Sequence, residues 1–394
     1  MSYPLATSSW DQLEIDAIQR VVSSGMYSMG KEVFAFEEQF ARYTNSKYCV
    51  MVNSGSSANL IMIGAMFYKK NNPWKIGDEI IVPAVSWPTT YYPLYQYGLK
   101  IKFVDIDLET LNFDLTALEQ AITPKTKGIL AVNLLGNSNN FEKIQTLIKG
   151  LDITLLEDNC ESLGATFRGK QAGTFGVMGT FSSFFSHHIS TMEGGMVVTD
   201  DQELHHILLC LRAHGWTRNL PKENLVCGTK SDDFFEESFR FVLPGYNVRP
   251  LEMEGAIGQE QVKKLPTFVK ERRANALHFQ ELFKNHPLLT IQKEVGESSW
   301  FGFAMMIKPS IDLDRKVIVK QLQKFKIECR PIVAGNFAKN EVVKYFNHEI
   351  FGELKNAQHI DKKGLFVGNH QYDIRGHIDL LAKSLSDFES WKNN

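Results

Sequence analysis

The sequence has little that would clamp the chain covalently or draw it to a large charged partner. Its five cysteines, Cys49, Cys160, Cys210, Cys227 and Cys329, are odd in number and scattered, with no CxxC or CxH pair. That excludes a disulfide framework, a clustered thiolate metal site and the four ligands of an iron–sulfur cluster, and leaves reduced thiols and no metal as the expectation. No apolar run approaches the roughly 20 residues that span a bilayer, and Met1-Ser-Tyr-Pro-Leu lacks a basic region followed by an apolar one, so a cytoplasmic chain is expected. Forty-three basic side chains stand against 45 acidic ones, which excludes bulk attraction to nucleic acid or to a membrane surface. Repeats and low-complexity segments are missing, and with them solenoid and disordered architectures. Lysine is absent from every position between Lys170 and Lys222.

What is present is a long chain of ordinary globular composition, 394 residues with 43% hydrophobic and 22% charged side chains, enough for two domains in one cooperative unit. Between Lys47 and Asp200, short apolar runs alternate with longer segments of helical period. The runs are Tyr48 to Val52, Glu79 to Val82, Ile101 to Val104, Gly128 to Val132, Ile153 to Leu156, Thr180 to Phe185 and Gly195 to Thr199. This alternation predicts an α/β fold with a mostly parallel seven-stranded sheet covered by helices on both faces. Ligands on such sheets lie in the crevice at the carboxyl ends of the strands.

A helix is predicted from Trp10 to Ser24, stopped at Gly25. Asn219 to Glu237 reads as a surface excursion. Pro250 to Phe283 reads as a long helix broken near Pro266, leading to a smaller α+β domain that contains Ser299 to Ile307, Asp314 to Lys326 and Ile327 to Ile332. The expected division is 1–250 for the large domain and 251–394 for the connecting helix and small domain.

Three clusters carry candidate chemistry. Asn53-Ser54-Gly55-Ser56-Ser57-Ala58-Asn59 joins a strand to a helix; glycine permits a tight turn and the serines place donors at a helix N-terminus, where a phosphate is favoured. It reads equally as a simple helix cap. Leu155-Leu156-Glu157-Asp158-Asn159-Cys160-Glu161 brings Asp158 to a strand end, where its carboxylate can keep a pyridine nitrogen protonated and make the ring an electron sink. Trp87, after the second strand, could stack on such a ring. Taken alone, Asp158 reads as a helix cap and Trp87 as core. The third cluster runs from Gly179 through Ser182, His187 and His188 to Glu193-Gly194-Gly195.

In this third cluster a strand, a serine and a position six residues before Glu193-Gly-Gly resemble the fold-type-I sugar aminotransferases of the DegT/DnrJ/EryC type, which act on nucleotide-linked keto sugars. The resemblance covers nearly the whole chain, with Phe103-Val104-Asp105-Ile106-Asp107, Gly164-Ala165 and Gly245-Tyr246-Asn247-Val248-Arg249 in support. It implies a pyridoxal or pyridoxamine phosphate cofactor with Asp158 on the ring nitrogen, Trp87 on the ring face, Ser182 on the phosphate, Gly55, Ser56 and Ser57 adding donors, and Glu161 near the ring. Asn247 would reach the phosphate of a neighbouring subunit, which implies a homodimer with shared sites.

The departure from that family is at the Schiff-base lysine, replaced here by His187. An imidazole cannot form that covalent bond, so the cofactor is expected to be held non-covalently. Proton transfer survives: at pH 7 roughly three-quarters of ordinary histidines are neutral, against well under 1% of lysines, and a positioned general base contributes about 10²–10⁴-fold. His188 is the rival for this role, and only the spacing to Glu193 favours His187.

The replacement marks the sugar 3-dehydratase branch. It implies removal of the C3 hydroxyl from a GDP-linked 4-keto-6-deoxy sugar, with ammonia released and glutamate restoring the amine form of the cofactor. GDP and the manno configuration rest on the resemblance alone. Candidates for the nucleotide-sugar are Gly25, Met26, Tyr27 and Ser28, then His214, Arg218 and Arg249, with Glu328 and Arg330 in the small domain; arginine suits a diphosphate because its fork presents paired donors. An ordinary nucleotide-sugar aminotransferase and a non-catalytic nucleotide-sugar-binding homologue are the competing readings.

Overall fold

The computed structural model describes residues 2–386; the end of the expected small domain, 387–394, lies outside the described residues. The apolar runs become the strands of one sheet: β1 (Tyr48–Val52), β2 (Glu79–Pro83), β3 (Lys100–Val104), β4 (Thr126–Val132), β5 (Thr154–Asp158), β6 (Met178–Ser182) and β7 (Gly195–Thr199). They are buried nearly throughout because helices cover both faces. Three helices precede the first crossover or form it: α1 (Gln12–Ser24), α2 (Lys31–Thr44) and α3 (Gly55–Tyr68). Two more that shape the site are α4 (Pro88–Gln96) and α5 (Gln202–Arg212), and α6 (Glu252–Phe283) leads out of the large domain. Helix α1 starts with a reciprocal cap between Asp11 and Glu14 and stops at Gly25, whose φ of 69° suits glycine.

The sequence leads one to expect seven strands, and the sheet has eight. A further group of strands comes after α6: β8 (Leu289–Ile291), β9 (Gly302–Ile307), β10 (Cys329–Arg330), β11 (His348–Ile350) and β12 (Gly364–Gly368). Of these, β11 leaves the small domain and pairs parallel with β3, giving the order β1-β7-β6-β5-β4-β2-β3-β11 with only β7 running against the rest. His-Glu-Ile has no apolar run that would announce a strand. Its place is set by charge: Lys102, 3% exposed, lies 2.7 Å from Glu79 and 3.5 Å from Glu349, and Lys100 bonds the same two carboxylates.

The small domain is the antiparallel sheet β8-β9-β12-β10 against the end of α6. The N-terminal segment also belongs to it structurally. Tyr3 is fully buried in the small-domain core, exchanges backbone hydrogen bonds with Lys326 and Glu328, and donates its hydroxyl to Gly368 O at 2.5 Å.

Helix α6 is not broken at Pro266; it runs unbroken through all 32 residues. A proline inside a helix costs about 3 kcal/mol, but Ile257, Val262, Leu265, Val269 and Phe279 bury one long face of this helix against its neighbours, and that packing prevails. The strand expected at Thr180 to Phe185 ends earlier, at Ser182. Phe184 and Phe185 are exposed in a loop closed by Ser183 N–H to Gly194 O and Phe185 N–H to Met192 O. Among the described residues no helix is long and apolar enough to cross a membrane, and no cluster of three metal-ligating side chains occurs.

Lys102→Ala would leave Glu79 and Glu349 without their buried partner. Loss of one member of such a pair typically costs about 3 kcal/mol, so urea unfolding of this variant should show a clearly lower midpoint. An unchanged midpoint would mean that the charge cluster does not hold β11.

Candidate active site

Three strand ends converge. At the end of β1, Ser54 caps α3, its Oγ accepting from Ser57 N–H at 3.1 Å and donating to Ser57 Oγ. The next residue, Gly55, is pressed against the end of β6: a Cβ there would lie 2.7 Å from Ser182 Cβ and 3.1 Å from Cys160 Sγ. Only glycine permits this approach, and it sets the open N–H groups of the first turn of α3 beside the Ser182 hydroxyl. Ser56 is exposed and its hydroxyl reaches Thr89 Oγ1 at 3.0 Å. Ser57 spends its N–H on the cap, while its hydroxyl accepts from Ser54 and keeps its own hydrogen to donate, so it stands with Gly55, Ser56 and Ser182 at the turn.

Asp158, 5% exposed at the end of β5, is held on one oxygen and left open on the other. Its Oδ2 accepts from Asn59 Nδ2 at 2.9 Å and Thr90 Oγ1 at 2.7 Å, while Oδ1 accepts from Cys160 N–H at 3.2 Å. Asn59 is itself fixed by Thr180 Oγ1 at 2.6 Å, and Thr90 by Ser86 at 2.8 Å. Sequence reasoning did not assign roles to Asn59, Thr90, Ser86 or Thr180. A polar residue at the head of the apolar helix Leu60-Ile61-Met62-Ile63 was the available signal for Asn59. Trp87 caps α4 with 58% of its surface exposed, unlike the buried Trp74.

Glu161 accepts from Leu135 N–H at 3.1 Å, a donor aimed by the left-handed φ of 53° at Leu135. Burial pushes the Glu161 carboxyl up to about 7, with the Asp158 charge adding to the effect and the Leu135 bond opposing it.

The two histidines are placed differently. His188 is 1% exposed and its Nε2 is committed to Ser299 O at 3.1 Å. His187 keeps part of its surface open; its Nδ1 is enclosed without a partner, leaving Nε2 as the nitrogen for proton exchange. Its ring meets Phe301 edge-on at 5.2 Å and Phe184 at 6.0 Å. Burial, then the charge of Arg272, brings the His187 imidazole down to about 4, so it is neutral near pH 7.

The nucleotide-sugar candidates are exposed, apart from the half-buried Arg249, and fall into two groups. Ser28 bridges to Leu251 and Ala213 to Asn247, which strings the Gly25–Ser28 loop, Arg249, Asn247 and His214 along connected backbone. Val248 O accepts from Asn53 N–H at 3.0 Å and ties that string to the first turn of the site. Asn247 Oδ1 holds Arg249 Nε at 3.0 Å, and Arg218 stacks 3.6 Å over Trp216. Glu328 and Arg330 lie apart, on the small domain: Glu328 accepts from Leu5 N–H at 3.0 Å, and Arg330 donates to the adjacent Cys329 O. Among the described residues of the single chain, no hydrogen bond or ion pair joins these two to the first group.

An anion cradle that excludes any Cβ, a fixed carboxylate with one open oxygen, an exposed indole and an untethered imidazole together fit a phosphorylated pyridine. The chain belongs to the DegT/DnrJ/EryC1/StrS aminotransferase family, which matches residues 8–372. Within it, the chain is 62% identical over 386 residues to GDP-4-keto-6-deoxy-D-mannose 3-dehydratase of Escherichia coli O55:H7, covering 98% of this chain and all of that one. The structure of a GDP-4-keto-6-deoxymannose-3-dehydratase with a trapped PLP-glutamate geminal diamine superposes with a TM-score of 0.97 at 62% identity over 98% of this chain and all of that one. A histidine-to-asparagine variant of such an enzyme with bound GDP-perosamine superposes equally well, with the same identity and coverage.

Gly55→Ala inserts a methyl where Ser182 and Cys160 leave no room. Overpacking of this kind costs about 1–3 kcal/mol, so pyridoxal phosphate should bind roughly tenfold to a hundredfold more weakly in a fluorescence titration, with the far-ultraviolet circular dichroism unchanged. Undiminished affinity would show that the phosphate does not sit at this turn.

Proposed function

We propose that this chain is a pyridoxal/pyridoxamine phosphate-dependent sugar 3-dehydratase that converts GDP-4-keto-6-deoxy-D-mannose to GDP-4-keto-3,6-dideoxy-D-mannose. Ammonia is released, and glutamate, leaving as 2-oxoglutarate, restores the amine form of the cofactor. The observation that carries the reading is His187, an open, neutral imidazole in a stretch of 51 positions, 171 to 221, that contains no lysine. The full-length likeness to the Escherichia coli 3-dehydratase and the PLP-glutamate and GDP-perosamine complexes of its relatives support it.

When bound, the cofactor supplies an amine that condenses with the C4 ketone and a ring that accepts electrons. The chain's own residues do the rest. Asp158 Oδ1 would hold the ring nitrogen protonated, Gly55, Ser56 and Ser182 would hold the phosphate, and Trp87 would cover a ring face. His187 Nε2 would take a proton from the cofactor carbon that bears the amine, leaving that bond's electrons to the ring system, and deliver it to the departing C3 hydroxyl, which leaves as water. His188 serves no such role, since its Nε2 is spent on Ser299 and no surface is open to substrate. The Gly25–Ser28 loop, His214, Arg218 and Arg249 receive the nucleotide-sugar, joined from the small domain by Glu328 and Arg330. The chain works in the cytoplasm as a homodimer: Asn247 is exposed, and Phe184, Phe185 and Met192 leave an apolar rim on the His187 loop for a second copy to cover.

His187→Asn should abolish ammonia release from the GDP-linked 4-keto sugar by at least about a hundredfold, the scale of a lost general base, while the visible spectrum of the bound cofactor persists. Loss of the cofactor with the activity, or a product that retains nitrogen, would overturn the reading. Mixing inactive His187→Asn chains with Asn247→Ala chains should restore activity, because one of the two sites in the mixed dimer is intact. No recovery would contradict sites shared between subunits.

A further inference from the structure

Arg272 lies in the second half of α6, 3% exposed, and no carboxylate among the described residues is within ion-pair distance of it. Its Nη1 donates to the carbonyls of Asn369 at 2.8 Å, Phe301 at 3.1 Å and Trp300 at 3.4 Å, and its Nε is enclosed without a partner. A buried cation with carbonyls in place of a counter-ion is costly. The loop it grips is the one that walls the histidines. Ser299 O takes His188 Nε2, Phe301 meets the rings of both His187 and His188, and Phe301 N–H and Ser299 N–H bond back to Leu135 O and Gly136 O. Trp300, between them, has a left-handed φ of 47°, a strained conformation for a bulky residue.

We propose that Arg272 is a positioning residue for the dehydration: its guanidinium, a buried positive charge bonded to the Trp300, Phe301 and Asn369 backbone carbonyls, fixes the Ser299–Phe301 loop against the His187 ring and acts on that imidazole from there. The inference rests on the reading of His187 as the proton carrier. The groups that face His187 are few: from its own loop His188, itself pushed well below the ordinary histidine range by burial and by Arg272, and Phe184, whose backbone carbonyl favours the protonated ring; Arg272 from α6; and Phe301, which has no charge. His370, beyond Asn369, is likewise brought down to about 4, by burial first and Arg272 next. Destabilising the imidazolium has a chemical use. A proton taken up by His187 becomes more acidic than an ordinary imidazolium proton, so it is readily passed on to a hydroxyl leaving group, which needs an acid.

The test follows the imidazole of His187 by nuclear magnetic resonance in the full chain, its signal assigned by its absence in His187→Asn, and follows the acid limb of kcat/KM in parallel. In the wild type His187 should stay uncharged at pH 5.5. Arg272→Gln, which keeps an amide donor for the carbonyls but removes the charge, should raise the midpoint by at least one pH unit, a tenfold change in the protonation equilibrium. Arg272→Lys should leave it low. Arg272→Met, which removes the charge and keeps the aliphatic stem for packing, should raise it as well and serves if Arg272→Gln does not fold. An unmoved midpoint in a folded charge-removing variant, or a wild-type His187 already protonated at pH 6, overturns the proposal. Loss of thermal stability without a change in midpoint would assign Arg272 a structural role only, which also overturns it. Because the titration is read without substrate, failure here is separable from failure of the dehydratase reading, which His187→Asn decides.

Discussion

Asp158 is fixed at the end of a buried strand by two side-chain donors on Oδ2, and the remaining site geometry is arranged around that held charge. Asn59 and Thr90 come from the helices that follow β1 and β2, so the hydrogen bonds that orient the carboxylate also bring three strand connections into one crevice. Were Asp158 free to turn, its open oxygen would not face a ring nitrogen consistently, and the site would lose the electron sink on which carbanion chemistry depends. The Gly55 turn lies close enough to Ser182 to exclude a single methyl group, which fixes the distance between the phosphate end and the ring end of whatever lies between them.

Against this shared scaffold the replacement of lysine by histidine changes what the site can do. A lysine would compete for the cofactor's carbonyl and return nitrogen to the product. An imidazole only moves protons, and here it is walled by Phe184 and Phe301 and kept neutral by burial and by Arg272. Removing a covalent option thus steers the same electron sink from amine transfer toward loss of a hydroxyl.

Much of this was legible in the sequence because it is written in burial. The seven apolar runs became seven strands, Gly25 stopped α1, and Asp158, Ser182 and Gly55 fell at strand ends as the alternation required. The rest depends on tertiary contacts that no local pattern encodes. The strand His348–Ile350 is held by lysines far back in the chain, Pro266 is carried within a helix by packing on its apolar face, and Tyr3 completes a domain at the opposite end of the chain. Arg272 reads as one of many charges on a long helix; only the fold shows that it is buried without a counter-ion among the described residues. The partition of His187 from His188, adjacent and chemically identical, came from a single carbonyl, that of Ser299.

On this reading the coenzyme sits beside an imidazole without a covalent bond to the chain. This is tested most directly by treating the pyridoxal phosphate-loaded protein with borohydride, unfolding it and measuring its intact mass. The account predicts the mass of the bare polypeptide, the cofactor having washed away; a pyridoxyl group fixed to any lysine of this chain would contradict it.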